Sequence, residues 1–257
     1  KQRSAQIISQ ARVEKTITII PGWDLWDIAN YLEKQGLSTA DSFLSFTGEP
    51  AHLRGALQPG MAFFTTSTNQ ILASWPSNIS LEGYLAPDTY RVYADAKAQD
   101  ILHILLAERA SQFTPELRAD AAKQKRTLHQ ILTMASILER EVKTKEDKAR
   151  VADIFWRRHD VGMGLQADST VHYATGKKGD VFTSNQDRQT DNLWNTYKYP
   201  KLPPGPISNP GLDSILAAIY PQKNDDWYFL TTLDTGEVKY AMTLSEHNAN
   251  VRRFLKK

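Results

Sequence analysis

Thr127 to Val142 reads TLHQILTMASILEREV. Leu128, Ile131, Leu132, Ala135, Leu138 and Val142 recur three and four residues apart, the spacing of a helix face turned towards a core. Two glutamates close the segment, Glu139 and Glu141. Two residues apart on a helix, they point about 200° away from each other, so they are not a neighbouring carboxylate pair. Periodicity places Glu139 within the span of the apolar stripe, beside Leu132, Ala135 and Val142. Glu141 falls at its edge near Met134, where a helix can border a cleft. The bland reading is two solvated or salt-bridged helix carboxylates, as most are. The chemical reading is that one carboxyl, its pKa raised by burial, serves as a general acid.

Working towards the N-terminus, residues 1–15 form a polar segment. Thr16 to Ile20 (TITII) is β-branched and predicts a strand ended by Pro21-Gly22. Asp24 caps an expected helix carrying Leu25, Ile28, Ala29 and Leu32, stopped at Gly36. Ser38 or Thr39 opens a second helix, and Met61 to Thr65 predicts a second strand. Strand, helix, helix, strand over residues 16–75 make a small α+β subdomain, with a larger mixed α/β domain over 76–257. In the latter, helices are expected over Ala98 to Gln112 and Lys145 to Arg158. Asn209-Pro210 reads as a helix cap followed by its first residue. Residues 176–206 are long and turn-rich, the kind of segment that carries binding loops. Asp234-Thr235-Gly236 predicts a hairpin between Trp227–Thr232 and Glu237–Thr243, and Ser245 is the expected cap of a last helix.

Composition narrows the chemistry. The 257 residues include 31 basic and 29 acidic side chains, a net charge of +2 that gives no electrostatic argument for nucleic acid. The absence of cysteine removes disulfides, thiolate nucleophiles and cysteine–zinc sites. The six histidines are scattered without an HExxH motif, so no metal site is expected. No GxSxG elbow and no Walker loop occurs. Gly162-Met163-Gly164-Leu165-Gln166-Ala167 fits GxGxxA but follows a helix rather than a strand, which argues against a dinucleotide site. No lysine stands in a context suited to pyridoxal phosphate, and no cofactor is expected. No stretch approaches the ~20 apolar residues of a membrane span. The chain opens Lys1-Gln2-Arg3 without Met, which suggests trimming and leaves room for an anchor outside it.

Several motifs in order resemble one family. Ala135-Ser136-Ile137-Leu138-Glu139-Arg140-Glu141 is similar to the ASI-x-E-K/R-E signature of the YceG-like endolytic murein transglycosylases. Leu81 to Tyr90 (LEGYLAPDTY) resembles that family's EGYLFPDTY, with Ala86 for Phe. Gly162 to Val171 (GMGLQADSTV) resembles GM-x-LQ-x-DPTV, with Ser169 for Pro. Asn195-Thr196-Tyr197, Leu202 to Ile207 (LPPGPI) and Glu246-His247-Asn248 complete the likeness over residues 80–250. The order of residues 16–75, with Leu57-Gln58-Pro59-Gly60, resembles the family's LysM-like subdomain more weakly.

The resemblance implies that Glu141 is catalytic and that Glu139 is a structural carboxylate paired with an Arg or Lys. It implies cleavage of the β-1,4 bond between N-acetylmuramic acid and N-acetylglucosamine without water, leaving a 1,6-anhydro end. One glutamate then suffices, because the sugar's own C6 hydroxyl is the nucleophile, whereas ordinary glycosidases use two carboxyls. Gln166, Asn195 and Tyr197 are candidates to bind acetamido and hydroxyl groups or to orient the glutamate. Their alternative role is to hold loops. Asp168 and Glu82 join the expected substrate-binding set, and Asp88 is a cleft or turn residue. Tyr84, Tyr90 and Trp194 are candidates for sugar stacking or core packing. The implied partners are peptidoglycan strands and neighbouring cell-wall synthases, at the periplasmic face of the bacterial inner membrane. A non-catalytic glycan-binding module is the rival reading.

Overall fold

The structure, a computed structural model, describes residues 12–51, 70–177 and 183–255. The expected strand over Met61–Thr65 lies outside them. Architecture is α+β: helices packed around one long core, with two small antiparallel sheets.

Strand β1 (Glu14–Thr18) pairs antiparallel with β2 (Thr89–Tyr93), Thr16 opposite Arg91. This ladder runs across the boundary expected between residues 75 and 76. Between the strands lie α1 (Leu25–Lys34) and α2 (Ala40–Thr47). Asp24 and Asp27 form a reciprocal capping box on α1: Asp27 N–H donates to Asp24 at 2.8 Å and Asp24 N–H to Asp27 at 3.2 Å. Thr39 caps α2.

Next come α3 (Ala98–Gln112), α4 (Pro115–Lys123), α5 (Leu128–Glu141) and α6 (Lys145–Asp160). Helix α4 was not expected, although Thr114 caps it and Pro115 is its first residue, a standard start signal. Two more, α7 (Asp168–Thr175) and the short α8 (Asn185–Arg188), precede α9 (Leu212–Ile219). The predicted hairpin forms from β3 (Tyr228–Thr231) and β4 (Val238–Ala241), followed by α10 (Leu244–Phe254). Its cap is Thr243 rather than Ser245, and Glu246 closes the capping box one turn in.

Helix α5 is the centre of the packing, lying against α4, α6, α7 and α9. Every residue from Ile131 to Leu138 is at most 1% exposed, so the apolar stripe understates its burial. Its polar residues are satisfied internally. Thr133 Oγ1 donates to the His129 carbonyl at 2.8 Å, and Ser136 Oγ accepts the Ile207 N–H at 3.0 Å.

Asn209 corrects an expectation. It does not cap α9; Gly211 is the cap residue. The Asn209 amide instead donates to the Trp23 carbonyl at 3.1 Å and to Glu82 at 3.0 Å, and accepts the Leu85 N–H at 3.0 Å. The first turn of α9 is capped from α5 instead. Glu139 Oε2 accepts the Gly211 N–H at 2.9 Å and the Ser214 hydroxyl at 2.7 Å, while Oε1 pairs with Lys148 at 2.9 Å. Both side chains of the pair are largely buried, with exposures of 12% and 7%. Removing one member strands the other charge, so Glu139→Ala is expected to lower unfolding free energy by about 3 kcal/mol in urea denaturation. A loss well under about 1 kcal/mol, typical of exposed pairs, would contradict this role.

Candidate active site

Glu141 ends α5, and Val142 after it turns to extended backbone. Its carboxyl points at the N-terminus of α7. Ala167, the cap residue there, supplies no side-chain bond. Glu141 does so from the neighbouring helix: Oε1 accepts the Ser169 N–H at 3.1 Å and the Ser169 hydroxyl at 2.6 Å. Both bonds fall on one oxygen. Oε2 accepts no hydrogen bond from the described residues. Glu141 keeps partial exposure, yet is enclosed enough that burial raises its pKa above the ordinary glutamate value, and nearby Asp168 adds to the rise. The Ser169 donors and Arg140 pull the other way without cancelling it.

Asp168, first residue of α7, lies beside this carboxyl. Its Oδ1 accepts the Tyr197 hydroxyl at 2.7 Å and the Thr183 hydroxyl at 2.6 Å, with Arg188 at 3.4 Å. The Arg188 guanidinium stacks over the Tyr197 ring, 4.7 Å from its centroid. Burial first, then Asp168, raises the Tyr197 pKa, so Tyr197 is a hydrogen-bond donor at neutral pH.

The loop before α7 is fastened to Thr196. Gly164 passes so close that a Cβ there would lie 2.9 Å from the Thr196 carbonyl oxygen. The Ala167 N–H donates to Thr196 Oγ1 at 3.1 Å, and the Thr170 and Thr196 hydroxyls meet at 2.9 Å. Between these ties Gln166 takes a left-handed backbone conformation, φ +55°, unusual for a residue with a side chain. Its N–H donates to the Thr196 carbonyl at 3.3 Å, and its side chain is exposed.

Four of the expected site residues, Glu141, Gln166, Asp168 and Tyr197, thus belong to one cluster around the start of α7. Asn195 supports it from beneath. It is fully buried, and its amide donates to the Arg188 and Thr190 carbonyls at 3.0 and 2.9 Å and accepts the Tyr197 N–H at 3.1 Å. Every polar atom of that side chain is engaged within the loop, which leaves none for a ligand. Glu82 is likewise buried. Its carboxylate accepts the Leu25 N–H at 3.1 Å and the Asn209 amide at 3.0 Å, with the Tyr173 hydroxyl at 3.4 Å. It joins α1, α7 and the segment before α9, and no hydrogen bond links it to Glu141. Asp88 is a turn residue, its Oδ1 accepting the Thr89 N–H at 2.6 Å. Tyr84, Tyr90 and Trp194 are all buried, with their polar atoms bonded to His129, the Ala86 carbonyl and the Pro206 carbonyl. They pack the core. Sequence reasoning missed Ser169, which it noted only as a departure from a pattern.

A carboxyl with raised proton affinity, one oxygen fixed and the other without a hydrogen bond from the described residues, flanked by a second carboxylate, an exposed amide and a partly buried phenol, is suited to acid–base chemistry. The chain belongs to the YceG-like family, whose sequence profile matches residues 1–253. It is 35% identical over 202 residues to the endolytic murein transglycosylase of Bacillus subtilis (strain 168), covering 74% of this chain and 55% of that protein. It is 31% identical over 257 residues to that of Streptococcus pneumoniae serotype 2 (strain D39), covering 94% of this chain and 45% of that protein. The chain spans about half the length of these relatives. Among solved structures it resembles a YceG-like protein from Listeria monocytogenes with a TM-score of 0.74 at 32% identity, over 91% of this chain and 75% of that one.

Burial raises the Glu82 pKa well above the usual carboxylate range, and Asp24 adds to this, against the Leu25 N–H. A carboxyl whose folded value is raised contributes stability that is complete below its unfolded value and is lost as pH rises through the folded one. Thermal melts from about pH 4 to pH 8 are therefore expected to show the native chain losing stability relative to Glu82→Gln as pH rises. Parallel curves would show that Glu82 does not bind its proton more tightly in the folded state.

Proposed function

We propose that this chain carries the catalytic part of an extracytoplasmic endolytic murein transglycosylase, with Glu141 as its single acid–base group. The observation that carries the reading is the asymmetric Glu141 carboxyl, with Oε1 held by Ser169 and Oε2 accepting no hydrogen bond from the described residues. The names of the relatives support the substrate, peptidoglycan.

In this mechanism Glu141, whose hold on its proton is strengthened by burial and by Asp168, gives that proton to the glycosidic oxygen between N-acetylmuramic acid and N-acetylglucosamine. The bond from the muramoyl C1 to that oxygen breaks, and N-acetylglucosamine leaves with a free hydroxyl. The muramoyl C6 hydroxyl then attacks C1, and its proton passes to the Glu141 carboxylate. The product ends in a 1,6-anhydro sugar, no water is consumed, and the glutamate returns to its starting state. Gln166 offers its exposed amide to acetamido or hydroxyl groups of the strand. Tyr197 and Arg188 hold Asp168 in place beside the acid.

Mass spectrometry of products from purified, uncrosslinked glycan strands tests the reading. The native chain is expected to release anhydro-ended fragments, and Glu141→Gln to lose at least about 100-fold of that activity. Reducing ends instead would mean hydrolysis and would remove the single-carboxylate mechanism. Strand binding without cleavage, on a substrate that a known transglycosylase cuts, would favour the glycan-binding module.

A further inference from the structure

We propose that Ser169 is a positioning residue for Glu141, pinning Oε1 with two donors so that Oε2 is the oxygen that carries and delivers the proton. The inference rests on the reading of Glu141 as the acid. Its own basis is geometric. A backbone N–H and a hydroxyl from one residue, at 3.1 and 2.6 Å, converge on a single carboxylate oxygen. Two donors from one residue fix the rotation of the carboxyl as well as its place, because turning it would break both bonds at once. A syn or anti choice by the proton is thereby removed from Oε1, whose acceptor sites are occupied. Ser169 is itself buried, at 6% exposure, so water does not compete for the hydroxyl.

The position matters because the pattern this chain resembles has proline there. Proline has neither an N–H nor a hydroxyl, so it can make neither bond. This chain's acid is thus held by a device that a proline-bearing relative lacks. Both donors favour the charged carboxylate. The other groups facing Glu141 are Asp168 at the start of α7, Arg140 on its own helix and Tyr197 from the loop, with Arg188 neutralising Asp168 from α8. Asp168 works against the two donors and Arg140 with them.

The sign of the effect follows. A general acid loses activity as pH rises through its pKa. Taking away donors that favour the anion moves that limb upward. Ser169→Ala, which keeps the N–H, is expected to move the basic limb of the kcat profile up by about one pH unit, and Ser169→Pro further. Ser169→Thr, which keeps both donors, is expected to stay near the native profile. The ¹³C signal of the Glu141 carboxyl reports the same order without relying on turnover. It is expected to titrate at progressively higher pH from native to alanine to proline. The fold should tolerate proline, since the second residue of a helix uses no intrahelical N–H bond.

Unmoved titrations in both variants, with altered melting temperature alone, would reduce Ser169 to a helix-start residue and overturn the proposal. Full activity of Glu141→Gln would instead overturn the reading beneath it, whatever Ser169 does. Loss of cleavage in Glu141→Gln with an unmoved carboxyl titration in Ser169→Ala and Ser169→Pro would leave that reading intact and end this one.

Discussion

Two carboxylates at the end of one buried helix organise the rest of the molecule. Glu139 and Glu141 leave α5 on opposite sides, and each accepts an N–H from the start of another helix: Gly211 for α9, Ser169 for α7. Neither Gly211 nor Ala167 provides a side-chain cap of its own, so each helix start depends on α5 for an acceptor. What separates the two is the remaining oxygen. Glu139 completes its shell with Lys148 and Ser214 and has nothing left to offer. Glu141 has no ion-pair partner among the described residues, and its second oxygen stays open. The same structural device thus yields a carboxylate with both oxygens engaged on one side and one with a single engaged oxygen on the other.

The site grows out of this arrangement. Because α7 starts against Glu141, its first residue, Asp168, is brought beside that carboxyl and raises its pKa. The segment leading into α7 is locked to Thr196, which forces Gln166 into a left-handed conformation. Asn195 beneath holds Tyr197 and Arg188 together over Asp168. Backbone strain at Gln166 is a local cost, offset by ties on both sides of it. Motifs far apart in the chain meet because α5 is enclosed on every side from Ile131 to Leu138.

Much of this was legible in the sequence where the cause is local. The capping residue Asp24, the stripe from Leu128 to Leu138 and the turn at Asp234-Thr235-Gly236 report on their own neighbourhoods, and those elements form as expected. Helix α4 has a local cause as well, the cap Thr114 followed by Pro115. Long-range partners were not legible. Nothing near Thr16 signals that its strand pairs with residues 89–93. Asn209-Pro210 has the form of a helix start, yet Asn209 is claimed by Trp23, Glu82 and Leu85, all more than a hundred residues away. Periodicity separated Glu139 from Glu141 by face but assumed one wet side, and α5 has none between Ile131 and Leu138. The part played by Ser169 depends on a contact across 28 residues, which no spacing rule predicts.

The most direct test of the account is a crystal structure of Glu141→Gln with a glycan strand bound. The glutamine is isosteric with the acid but cannot deliver its proton, so the strand should remain uncut. The account predicts the glycosidic oxygen within hydrogen-bond reach of the atom that replaces Oε2, with Ser169 still bonded to Oε1 and the muramoyl C6 hydroxyl on the same side. A strand seated away from the end of α5, or approaching from the Oε1 side with Ser169 displaced, would contradict it.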